Sequence, residues 1–177
     1  SVGEELPAPS STNVPRSRLV DRFTRSMRTV VLSDQQRSSM ERFSNGSANM
    51  VITGQQVGLL GGPLYTLLKI ASTVALARQN HCVPVFWLED NDHDAEEASR
   101  TYLPTPDNQY EKVVPWDGSN ERLPIHERAF TTEEIQKVHS YLSRLDGRYS
   151  DGEGARLREI YQVGRPWADA FLDILQP

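Results

Sequence analysis

The sequence is short of cysteine, of lysine and of long apolar runs, and each shortage closes off a class of protein. A single cysteine, Cys82, among 177 residues excludes a disulfide framework and any zinc site built from several thiolates. So little thiol chemistry suits a reducing compartment, and a cytoplasmic setting is expected. The longest apolar stretch is the six residues Val83 to Leu88, against the ~20 that a bilayer-spanning helix needs. The first residues, Ser-Val-Gly-Glu-Glu-Leu-Pro, have neither the basic nor the apolar segment of a secretory signal. With 19 basic and 24 acidic residues and a net charge of -5, the chain lacks the basic footprint of a nucleic-acid binder. Neither nucleic acid nor membrane is expected as a partner.

What is present suffices for one domain with a core of its own. Residues 1–14 are small, polar and proline-containing, and read as a flexible leader. Leu19, Phe23 and Met27 then recur every fourth position, one face of a helix. Ser33 with Gln36 is a capping-box pattern opening a second helix, which Ser44-Asn45-Gly46-Ser47 breaks. Met50-Val51-Ile52-Thr53 reads as a buried strand, followed by the loop Gly54 to Gly62 and by Pro63, a residue suited to a helix start. That helix carries Leu64, Leu67, Leu68, Ala71, Val74 and Ala75 on one side and ends near Gln79. Val83 to Leu88 is a second apolar strand. Two strands around one helix make a βαβ unit with a right-handed crossover, so the fold class is α/β with a parallel sheet and flanking helices.

Further on, Asp94 is the expected N-cap of a short helix with Glu97 at its third position. Thr101 to Pro106 reads as a connection broken by proline. Tyr110 to Val114 and Ile125 to Phe130 read as strands of a small antiparallel insertion spanning about 107–130. Thr132 opens a helix that Asp146-Gly147 stops, and a last helical stretch, Ala155 to Leu175, is interrupted at Gly164-Arg165-Pro166. Two parallel strands do not make a stable doubly wound sheet. Residues 15–177 are therefore expected to be the N-terminal portion of a larger domain, with an exposed apolar edge prone to association.

Ligands of open α/β sheets bind beyond the carboxyl ends of the strands, where both informative segments lie. In the first, Gly58, Gly61 and Gly62 let backbone approach a ligand, and the helix start at Pro63 suits an anion. Thr53, Gly54, Gln55, Gln56, Tyr65 and Lys69 add polar groups and a cation; Lys69 is one of only three lysines. The P-loop ending and the dinucleotide fingerprint are both absent, and a plain tight turn explains the glycines as well. The second segment, Glu89 to Glu97, holds six carboxylates in nine residues. Such a cluster needs a cation, a basic substrate or a proton to offset its repulsion. His93 between Asp92 and Asp94 should favour its protonated form. An EF-hand fails, because Ala95 and Thr101 stand where glycine and glutamate are required. A mixed His and carboxylate metal site and a solvated acidic helix start both stay open. Cys82 fits a structural thiol better than a nucleophile.

Together, Val51 to Lys69 and Val83 to Glu97 resemble the bacillithiol biosynthesis cysteine-adding enzyme family, whose two blocks come in this order with a helix between them. The resemblance implies a Rossmann-type core related to nucleotidylyltransferases, and an enzyme joining the carboxyl group of cysteine to the amine of glucosaminyl-malate. It also implies a longer, homodimeric protein with a helical coiled-coil region. Activating a carboxylate calls for an adenylate or acyl phosphate, so ATP or another nucleotide is a candidate co-substrate, and no resident metal is expected. In this reading Gly58, Gly61, Gly62 and the Pro63 helix start hold an anionic group, and Gln55 and Gln56 orient the substrate. His93 acts as acid/base with Asp92 and Asp94, or the two carboxylates bind the ammonium group directly. The alternatives are another adenylate-forming transferase on the same core, or a binding module without chemistry.

Overall fold

The computed structural model of the chain describes residues 14–27, 31–105, 107, 109–119, 122–144 and 151–176. The leader up to residue 13 and the Asp146-Gly147 stop lie outside the described residues. The chain divides into two compact units, 1–53 with 69–87, and 54–68 with 88–177.

In the first unit, α1 (Arg16–Ser26) packs on α2 (Asp34–Ser44). The Ser33 hydroxyl accepts the backbone N–H of Gln36 and the Gln36 side chain accepts that of Ser33, which closes the expected capping box. Phe43, Ala48 and Val83 form the buried centre, with Leu19, Val20, Met50 and Val85 against them. The Arg16 guanidinium ties the start of α1 to the turn after α2. It donates to Ala48 O at 2.5 Å and to Asn49 Oδ1 at 2.7 Å, and lies 5.0 Å from the Phe43 ring centre. The first parts of β1 (Met50–Gln56) and β2 (Val83–Glu89) follow as hydrogen-bonded neighbours. The Val83 N–H donates to Asn49 O at 2.7 Å, which sets the two starting ends side by side. The strands are parallel, as a crossover through α3 (Leu64–Gln79) requires.

The second unit holds α4 (Ala95–Ser99), β3 (Thr101–Pro104), β4 (Tyr110–Val113), α5 (Thr132–Arg144), α6 (Asp151–Ile160) and α7 (Trp167–Leu175). Its core centres on Phe130, with Tyr161 edge-on at 5.4 Å and Trp167 stacked at 5.5 Å between ring centres. Val138, Leu142 and Phe171 are buried with them. Arg128, itself buried, places its guanidinium 5.8 Å from the Trp116 ring centre and 5.6 Å from that of Trp167.

The α/β class with a small antiparallel pair holds, but four local expectations are corrected. First, β1 continues through Gly54, Gln55 and Gln56, so these are strand residues rather than loop. Second, Thr101–Pro104 is a strand, and it is the antiparallel partner of β4, Thr101 pairing with Val113 and Pro104 with Tyr110. Pro104 is tolerated because it stands at the end of the strand. Third, 125–130 is not a strand beside β4. Ile125–Glu127 is a single 3-10 turn whose N–H groups go elsewhere, and Ala129 bridges to Pro166. Fourth, the leucine-bearing side of α3 is not its buried side. Thr66, Thr73 and Ala77 are buried, whereas Leu64, Leu67 and Leu68 are 71%, 47% and 59% exposed.

Candidate functional site

Both informative segments fall in the second unit, except Thr53 and Lys69, which belong to the first and are half-buried in β1 and α3. The segments are joined directly: the side-chain amide of Gln56 donates to Asp92 Oδ2. The other carboxylate oxygen, Oδ1, accepts the backbone N–H groups of His93 at 2.6 Å and Asp94 at 3.2 Å. These donors hold the Asp92 carboxyl below its ordinary value. The Asp94 and His93 backbone N–H groups contribute most, burial opposes them, and the Gln56 amide and the charge of His93 add to the effect. Asp92 is thus an ionised, hydrogen-bonded anchor in the segment between β2 and α4.

Asp94 caps α4 by accepting the Glu97 N–H at 2.8 Å, as the spacing predicts. The capping carboxylate suits the positive end of the helix. Glu97 and His93 have exposed side chains, and the His93 carbonyl accepts the N–H of Ala95 at 2.9 Å. Among the described residues, no three His, Cys, Asp or Glu side chains converge to hold a metal ion.

A tie to the acidic segment escaped sequence reasoning. The Ile125 N–H donates to Asp92 O at 2.8 Å and the His126 N–H to Asp90 O at 2.9 Å. The His126 ring closes on the same Asp90 carbonyl with Nδ1 at 3.2 Å, while Nε2 lies 3.7 Å from Glu127 Oε1. The 3-10 turn therefore clamps residues 90–92 from 36 positions away. His126 sits in neither motif block and has no spacing signal; only the proline before Ile125 hints at an ordered turn.

The glycine-rich segment closes on itself. A Cβ on Gly58 would lie 2.5 Å from Gly62 Cα, so only glycine lets the backbone fold back there. Gly61 and Gly62 have φ of +88° and +72°. The residue before them, Leu60, also has a positive φ, 53°, and its N–H donates to the Tyr161 hydroxyl at 2.6 Å. Pro63 and Tyr65 follow, exposed, at the start of α3, while Gly54, Gln55 and Gln56 are half-buried in β1. A cavity of about 10 Å³ lies beside Val57, Gly58, Leu59, Ser99, Tyr161 and Trp167. That is room for one water-sized group and not for a substrate. In the first unit, Cys82 is half-buried with Sγ 3.4 Å from Asn80 O, in keeping with a structural thiol.

The sequence that forms this glycine-rich turn and acidic segment matches a known family. The family model described as bacillithiol biosynthesis BshC, N-terminal Rossmann-like domain, matches residues 4–176. The chain belongs to the BshC family. Its α/β core is accordingly of the Rossmann-like type. Of three curated relatives named "Putative cysteine ligase BshC", the Salinibacter ruber protein is 34% identical over 159 residues, 82% of this chain and 28% of its own length. The Chlorobaculum tepidum protein is 39% identical over 101 residues, 53% of this chain and 18% of its own length. The Staphylococcus epidermidis protein is 45% identical over 82 residues, 43% of this chain and 15% of its own length. The matched portion thus covers between 15% and 28% of these BshC relatives. No described helix is long and apolar enough to cross a membrane.

Proposed function

We propose that this chain carries part of the active site of a ligase that joins L-cysteine to glucosaminyl-malate in bacillithiol synthesis. The observation that supports this most is the Gln56–Asp92 bond, which draws the two motif blocks into one place in a BshC-family chain. The new bond runs from the carboxyl carbon of cysteine to the amine nitrogen of glucosaminyl-malate. A nucleoside triphosphate supplies the activation: the cysteine carboxylate oxygen takes a phosphoryl or adenylyl group, which leaves with that oxygen when the amine attacks. The attacking nitrogen loses one proton, and the exposed imidazole of His93 is its acceptor. Asp92, ionised and fixed, holds negative charge beside that imidazole. The turn Gly58 to Gly62 and the start of α3 receive the anionic part of a substrate. Gln56 orients the acidic segment through Asp92, and Gln55, Tyr65 and Glu97 border the site.

The test is mass spectrometry of the full-length protein incubated with ATP, cysteine and glucosaminyl-malate. The cysteinyl amide product is expected. A cysteinyl adenylate or phosphate with no amide points to a transferase that stops at activation, and recovery of unchanged substrates points to a binding module.

A further inference from the structure

We infer that Tyr161 is a positioning residue of the glycine-rich turn, acting through the strained backbone of Leu60. The inference rests on the reading above that this turn receives an anionic group. Leu60 stands at φ 53° and ψ 37°, the left-handed region that a bulky side chain rarely adopts and that glycine occupies freely. With Gly61 and Gly62 it makes three successive residues of positive φ. The turn closes through the Gly62 N–H to Leu59 O at 3.0 Å. A backbone conformation of this kind persists only where its surroundings impose it, and such conformations concentrate at ligand clamps and active sites.

What imposes it is 101 residues away in the chain. The Tyr161 hydroxyl accepts the Leu60 N–H at 2.6 Å, and Tyr161 is only 1% exposed. Its ring is fixed edge-on against Phe130, and its carbonyl lies 2.9 Å from His139 Nε2. Burial raises the phenol pKa far above its ordinary value, so the hydroxyl stays neutral. Phenylalanine would fill the same core volume; among the described residues, what the hydroxyl adds is the tie to Leu60. The Leu60 and Gly62 N–H groups are thus taken up inside the fold, and the tie holds the backbone of the turn in one shape before any ligand arrives, so that binding spends nothing on ordering it.

Three variants of the full chain test this: Tyr161→Phe, Leu60→Gly and the double substitution. Amide hydrogen exchange and a titration with inorganic phosphate, both followed at residues 60–62 by NMR, are the readouts. Tyr161→Phe is expected to speed exchange at Leu60 about tenfold, the equivalent of one lost hydrogen bond, while α5 amides keep their protection. It is also expected to weaken phosphate binding, and by a smaller factor in the Leu60→Gly background, where no strain has to be held. Leu60→Gly alone keeps the tie and supplies the reference affinity for the double variant. Unchanged exchange at Leu60 in Tyr161→Phe overturns the inference, and so does an equal loss of affinity in both backgrounds. If wild-type residues 60–62 ignore phosphate, the anion-binding reading of the turn fails, while exchange at Leu60 still decides the tie.

Discussion

Gln56, the last residue of β1, and Asp92, in the segment just past the end of β2, are 36 residues apart and bonded side chain to side chain. Asp92 accepts three hydrogen bonds there, from Gln56, His93 and Asp94. Asp92→Asn removes the charge and sets an amide nitrogen where an acceptor is needed. It is expected to cost about 1.5–3 kcal/mol, the range for hydrogen bonds to a charged group. Gln56→Ala removes one donor of three and should cost less. Denaturant unfolding of both variants checks the order; equal costs would show that the backbone donors contribute nothing.

Two carboxyls give stability a pH dependence of opposite sign. The folded-state pKa of Asp92 is lowered, chiefly by the backbone N–H groups of Asp94 and His93. Its contribution is present above the unfolded value of ~3.9 and is lost as pH falls through the lower folded value. Glu134 is buried, and desolvation raises its pKa although its carboxylate accepts the Thr131 N–H at 2.8 Å. Its ionisation therefore opposes folding at neutral pH, and that cost fades as pH falls toward the ordinary glutamate range. Unfolding curves across pH should show Glu134→Gln flattening the dependence above the range near 4, without lowering stability at pH 7. Asp92→Asn should flatten it below that range.

His126 offers a sharper test of the clamp on residues 90–92. The Nδ1 position meets the Asp90 carbonyl at 3.2 Å. Asparagine can place an N–H near the Nδ1 position, whereas glutamine mimics Nε2. Amide exchange of Asn91 to Asp94 is expected to stay near wild type in His126→Asn and to speed up in His126→Gln. The reverse order would assign the contact to Nε2.

The exposed leucines of α3 should tolerate charge. Leu67 and Leu68 are 47% and 59% exposed, so Leu67→Glu and Leu68→Glu are expected to shift stability by no more than about 0.5 kcal/mol. Light scattering is expected to show less self-association in both variants. A loss of several kcal/mol would mean that this side of α3 is covered in solution.

Much of this arrangement is legible in the residues. Ser33 with Gln36 and Asp94 with Glu97 are local capping patterns, and both form as the spacing predicts. The apolar runs at 50–53 and 83–88 mark strands whose pairing follows from the intervening helix. What was not legible is what depends on distant partners. The 125–127 turn reads as strand because Ile125 and Phe130 favour strands, yet the N–H groups of Ile125 and His126 are taken by the Asp92 and Asp90 carbonyls. Thr101 to Pro106 reads as a connection because of its prolines, yet pairing with β4 makes Thr101–Pro104 a strand. On α3, leucine periodicity points to the wrong side, because Thr66 and Thr73 are buried instead. Tyr161 and Leu60 have no local signal for each other, since the bond spans 101 residues.

The most direct test of the proposed chemistry is the yield of cysteinyl amide by the full-length protein carrying His93→Gln, measured beside wild type with melting temperature on the same preparations. Glutamine keeps size and polarity but cannot take a proton. A positioned acid/base contributes ~10²–10⁴-fold, so the rate of amide formation is expected to fall by at least a hundredfold while the melting temperature stays within a few degrees. Near-normal turnover in a folded His93→Gln protein would contradict a proton-accepting role for His93.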